Sequence, residues 1–113
     1  MEAGERIPRK RLRLTRSLEL EQEMFYVYVL HSERDLGLYI GYSTDLRRRL
    51  TEHKQGASQA TSYRGPWSLI YYEAYVEEAD AIGRERYLKS GGGRKLLRSQ
   101  LRNYFTKPRL QTA

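Results

Sequence analysis

The chain has 113 residues, enough for one domain with a modest core, and its 21 Lys and Arg against 14 Asp and Glu give a formal charge of +7. That excess favours a polyanionic partner, either nucleic acid or an anionic membrane surface. With no cysteine and only His31 and His53, the chain excludes disulfide scaffolds, thiolate zinc sites, thiol nucleophiles and three-histidine zinc centres.

Residues 6–16 (RIPRKRLRLTR) carry six basic side chains and no acid. They read either as an arm that lies on phosphates or as a solvated tail. No apolar segment follows them as a secretory signal requires, and no apolar run is long enough to span a bilayer. A cytoplasmic location is therefore expected, in keeping with the absence of cysteine. The expected organisation is a basic extension over 1–23, a globular domain over 24–105 and a short tail over 106–113. Met24 is a second candidate start, and no essential chemistry is expected before it.

From Met24 the pattern sharpens. Residues 24–30 (MFYVYVL) are β-branched and aromatic, which predicts a largely buried strand. The polar, glycine-containing stretch 31–37 predicts a turn that includes His31, and 38–42 (LYIGY) an antiparallel partner strand. Ser43, Thr44 and Asp45 offer caps for a helix from Leu46 to about Lys54, with Leu46 and Leu50 inward. A loop follows over 55–66, then a third strand over 67–76 (WSLIYYEAYV). Glu77 to about Ser90 predicts a second helix with Ala81, Glu85 and Leu88 on one stripe. Gly91–Gly93 reads as a helix break, and Arg94–Phe105 as a third amphipathic helix. The expected class is α+β: a small three-stranded antiparallel sheet flanked by helices, in the order β-β-α-β-α-α.

Polar groups on buried strands and inward helix faces mark candidate chemistry. Tyr28 and Tyr39 lie on the first two strands, Arg49 and His53 share a face of the first helix, and Glu85 sits among Ala81, Ile82 and Leu88. A carboxylate in such surroundings calls for a partner or a metal ion. Taken singly, each has a structural reading. The tyrosines suit any sheet, Arg47, Arg48 and Arg49 suit a solvated helix face, and Glu85 can pair with Arg84, Arg86 or Lys89.

Together, Tyr26-Val27-Tyr28, then Tyr39-Ile40-Gly41 eleven residues after Tyr28, then Arg49, His53 and Glu85 resemble the GIY-YIG nuclease superfamily. The likeness is to its small stand-alone bacterial members, related to the nuclease module of nucleotide excision repair, and spans Phe25 to Arg102. It implies a divalent-metal-dependent endonuclease, with DNA rather than RNA as the expected partner. By the same resemblance Glu85 holds one Mg²⁺ or Mn²⁺, Arg49 complements the phosphate, and Gly41 lets the backbone pass close to the site. Tyr28 is implied as the base that activates water, with Tyr39 or His53 orienting it or taking its place. Proximity to Arg49 and the metal would lower the Tyr28 pKa. Two departures stand out: Tyr26 replaces the first glycine of the motif, and Tyr42 stands where some repair nucleases have lysine.

Further phosphate contacts are expected from Arg47 and Arg48, from Arg64 in the long loop, and from Arg94, Lys95 and Arg98 on the third helix. Trp67 reads as a plug at the core edge. The competing functional reading is a nucleic-acid-binding module on the same scaffold with weak or no catalysis. A basic arm anchored on a membrane surface fits less well, because it lacks a defined apolar face. No membrane partner is expected, and a monomer is the expected state.

Overall fold

The computed structural model describes residues 23–108. The basic stretch 6–16 and Arg109 lie outside the described residues. The chain runs β1 (Phe25–Ser32), β2 (Leu38–Ser43), α1 (Leu46–Lys54), β3 (Trp67–Tyr75), α2 (Glu78–Lys89), α3 (Gly91–Gln100) and a short α4 (Arg102–Thr106). The three strands form one antiparallel sheet in the order β2-β1-β3, the α+β arrangement expected from the residue pattern.

Strand alternation divides β1 between two faces. Phe25, Val27 and Val29 join Leu38 and Ile40 of β2, Ala81 and Leu88 of α2 and Leu97 of α3 in the core. Tyr28 and Leu30 point to the other face and are also buried. β1 is thus apolar throughout because both of its faces are covered. Among the described residues, no helix is long and apolar enough to cross a membrane.

Two local readings are corrected. His31 lies in β1 rather than in the turn, because pairing of His31 with Leu38 and with Ser68 carries the strand on to Ser32. The turn is then held by the Ser32 hydroxyl, which accepts from the Arg34 and Asp35 amides at 3.1 and 3.0 Å, and Leu36 takes the left-handed conformation at φ 63°.

The second correction concerns the three glycines, which open α3 instead of breaking the path between helices. Ser90 caps α3 by accepting from the Gly93 amide at 3.1 Å. Gly93 is buried, and a Cβ there would collide with the Tyr87 carbonyl and the Leu88 backbone. The glycine is the condition for α3 to pack this tightly on the end of α2. The third helix also ends earlier than expected: the chain leaves helical geometry at Leu101 and resumes as α4.

Candidate active site

β2 is an edge strand, and Gly41 sits on it directly opposite Tyr28. A Cβ on Gly41 would fall on the tip of the Tyr28 ring, with Cε1 2.8 Å away. The phenol therefore lies flat over the β2 backbone and carries its hydroxyl to the sheet edge, which any side chain at 41 would prevent.

α1 closes over this hydroxyl. Asp45 starts the helix by accepting from the Arg48 amide at 3.1 Å, and the Ser43 hydroxyl accepts from the Asp45 amide at 2.9 Å. That start sets the phase of the helix and places Arg49 and His53, one turn apart, over Tyr28 and Tyr39. His53 Nε2 lies 2.8 Å from the Tyr28 hydroxyl, and Nδ1 lies 2.7 Å from the Thr61 hydroxyl. Trp67 donates its indole N–H to the Thr61 carbonyl at 3.0 Å, so the long loop is fixed where it meets the imidazole. The Tyr39 ring packs 5.2 Å from His53 and 6.3 Å from Tyr28, centroid to centroid.

Burial depresses the His53 pKa, and the Arg49 charge depresses it further. A neutral imidazole carries one N–H, so the chain of bonds runs in one of two senses. In one, Tyr28 donates to Nε2 and Nδ1–H donates to Thr61; in the other, Thr61 donates to Nδ1 and Nε2–H donates to Tyr28. Burial pushes the Tyr28 pKa up to about 12, with help from Tyr39 and Glu85 and against the pull of Arg49. The protein alone therefore holds Tyr28 as a phenol, the opposite of the lowered value expected from Arg49 and a metal together.

Arg49 donates to Glu52 Oε1 at 2.7 Å, with both side chains about a third exposed. Glu85 reaches the site from α2. Its side chain is 21% exposed and pairs with Lys89 at 3.0 Å, while Arg84 turns away to Glu73. The Glu85 charge raises both Tyr28 and Tyr42, so the carboxylate is within electrostatic reach of the two phenols. Tyr42 donates to Glu78 Oε2 at 2.7 Å.

Tyr28, Tyr39, Arg49 and His53 thus gather at the β2 edge of the sheet, and Glu85 on α2 is linked to them through its charge on Tyr28. Arg47 and Arg48 lie on the exposed side of α1. Arg64 is held by Asp35 at 2.8 Å and stacks 4.8 Å from the Trp67 ring centre. Arg94, Lys95 and Arg98 lie on α3, which packs on α2 and α4 rather than on the tyrosine cluster. Arg94 bonds the Lys89 carbonyl at 3.4 Å, and Arg98 covers the Phe105 ring at 4.7 Å. Thr61 and Glu52 were not singled out from the sequence. The one signal for Thr61 is indirect: a buried imidazole needs a partner on each nitrogen.

Among the described residues no group of three or more His, Cys, Asp or Glu side chains comes together. A single carboxylate fits Mg²⁺ or Mn²⁺ held mainly by water and substrate oxygens, and does not fit a zinc-type cage.

The family model of the GIY-YIG catalytic domain matches residues 24–97. The chain belongs to the GIY-YIG family. This GIY-YIG domain is 43% identical over 65 residues to a UPF0213 protein of Streptococcus pyogenes serotype M5 (strain Manfredo), covering 57% of this chain and 70% of that one. A UPF0213 protein of S. pyogenes serotype M2 (strain MGAS10270) matches with the same identity and coverage. A UPF0213 protein of Bacillus halodurans, solved by solution NMR, is 32% identical over 68% of this chain and 84% of its own, with a TM-score of 0.46.

Proposed function

We propose that this GIY-YIG protein is a divalent-metal-dependent endonuclease that hydrolyses phosphodiester bonds in DNA, acting in the cytoplasm as a monomer. The observation that carries the reading is the Tyr28–His53 hydrogen bond of 2.8 Å over Gly41, with Arg49 on the same helix face and Glu85 within electrostatic reach.

Arg49 is placed to donate to a phosphate. Its pair with Glu52 is partly exposed and worth about 0–1 kcal/mol, so a phosphate with two acceptor oxygens can displace it. Tyr28 accepts a proton from the attacking water while passing its own to neutral His53 Nε2, the sense in which Nδ1–H donates to Thr61. Thr61 and Trp67 hold the imidazole in that orientation. Tyr39 packs against both rings and keeps bulk water from their edges. A Mg²⁺ or Mn²⁺ ion on Glu85 supplies, when bound, positive charge for the phosphate and the leaving oxygen.

A binding module with weak catalysis is the second reading. It is favoured by the upward shift of Tyr28 and by the occupied ion pairs of Arg49 and Glu85. The two readings separate on a panel of supercoiled plasmid, branched and single-stranded DNA and RNA, with Mg²⁺, Mn²⁺ or chelator. The nuclease reading expects metal-dependent cutting that falls at least about 10²-fold in Glu85→Ala and in Arg49→Ala. It fails if nothing is cut, or if both variants cut like the parent.

A further inference from the structure

α1 crosses the face of the sheet that carries Tyr28, and the cluster described above occupies its β2 side. On its β3 side a seam runs the length of the helix. Two hollows of about 730 and 610 Å³ lie along it, and Leu50 and Leu69 line both. One wall belongs to β3. Tyr72 and Leu69 pair in register with Tyr28 and Leu30, hence face the groove, and they remain 52% and 40% exposed. Tyr72 also packs against Tyr26, with ring centres 6.2 Å apart. Trp67 lines the far end.

The other wall is basic. Arg47 and Lys54 are seven residues apart on α1, two turns of one side, about 10 Å along the axis. Each lines one of the hollows, and neither makes an ion pair among the described residues. Glu23 and Asp45 also line the hollow that Arg47 and Arg48 line; the Asp45 carboxylate is committed to the Arg48 amide. At the far end the lining includes His53 and Thr61, so the groove reaches the back of the imidazole that bonds Tyr28.

We propose that this α1–β3 groove holds an unpaired nucleic-acid strand, with bases stacked on Tyr72 and Leu69 and phosphates on Arg47 and Lys54. An exposed aromatic and aliphatic wall facing cations that make no ion pair among the described residues is the pairing of surfaces that single strands require, whereas a duplex hides its base faces. The assignment rests on the nucleic-acid partner of the nuclease reading. It adds that the substrate has an unpaired stretch beside the scissile bond.

Binding can be read without cleavage. Trp67 is the only tryptophan in the chain and lines the groove, so its emission reports occupancy. The full chain in chelator is titrated with an oligothymidylate of about 12 nucleotides and with a duplex of equal length. The expected result is quenching by the single strand and at least about five-fold weaker single-strand binding in Tyr72→Ala and in Leu69→Ser. The duplex should change little between parent and variants. Arg47→Ala should also flatten the salt dependence by about 0.7 in log–log slope, one single-strand phosphate contact. The groove assignment is overturned if the single strand leaves Trp67 unquenched, if both folded variants bind it like the parent, or if single strand and duplex weaken equally. Those results leave the nuclease reading standing, since that reading fails only on metal-dependent cutting.

Discussion

Position 41 decides where the Tyr28 hydroxyl can be. The ring lies over the β2 backbone, and the missing Cβ is the space it occupies. Gly41→Ala should therefore force the phenol off its bond to His53 and cost about 1–3 kcal/mol of stability through overpacking. Urea denaturation and cleavage assays check this together: both the midpoint and the rate should drop, whereas Gly83→Ala, in open space within α2, should raise the midpoint through up to about 1 kcal/mol of added stability and leave the rate unchanged. Much at this scale was legible in the sequence. A tyrosine in an otherwise apolar strand, and Arg and His four apart on a helix that already needs Leu46 and Leu50 inward, mark a face where polar groups meet. Thr61 was not legible, because nothing local separates it from Ser58 and Ser62 in the same loop; only the position of His53 in space selects it. The upward shift of Tyr28 was missed for a related reason. Reading pattern alone weighed the neighbouring cation, and burial outweighs it.

Elements are joined through one carboxylate. Glu73 on β3 accepts from Tyr71 at 2.6 Å, from Tyr75, and from Arg84 of α2 at 2.9 and 3.1 Å. Burial raises its pKa, but the bonds from Arg84 and the two tyrosines outweigh that and leave it below the ordinary value. Glu73→Gln should cost about 1–3 kcal/mol in urea denaturation, since Arg84 loses its counter-charge while largely covered. An unchanged midpoint would mean that α2 is held by its apolar stripe alone. The strand was visible because 24–30 is β-branched and aromatic without interruption, and the helix because Ala81 and Leu88, two turns apart, fall on one side of it. The glycines at 91–93 misled because propensity counts their conformational freedom and not the contact only they permit. A Cβ at 93 would collide with the backbone at the end of α2, and the packing that glycine permits there offsets its usual cost of about 1 kcal/mol in a helix.

At the scale of the whole molecule, His53 and Glu73 are among the groups that tie folding to acidity. His53 is depressed below the ordinary imidazole value of 6.5, so the unfolded chain takes up its proton first. The stability it contributes is complete above pH 6.5 and is lost as pH falls through its lower folded value. Glu73 is depressed from 4.5, so its contribution is complete above that pH and disappears as pH falls through its folded value. Thermal unfolding across pH should show stability declining in two stages on acidification. His53→Gln should flatten the upper stage and leave the lower one; a profile identical to the parent's would contradict the buried neutral imidazole.

The central claim is that hydrolysis occurs where the Tyr28 hydroxyl meets His53 at the edge of β2. It is tested most directly by the single-turnover cleavage rate of Tyr28→Phe against the parent, at saturating protein and Mg²⁺ on one substrate. Removing one oxygen keeps the ring packed over Gly41, so the fold and DNA binding should be retained, with about 1–3 kcal/mol of stability lost at the unpartnered His53 nitrogen, while the rate falls about 10²- to 10⁴-fold. A Tyr28→Phe protein that cuts at the parental rate would contradict the assignment.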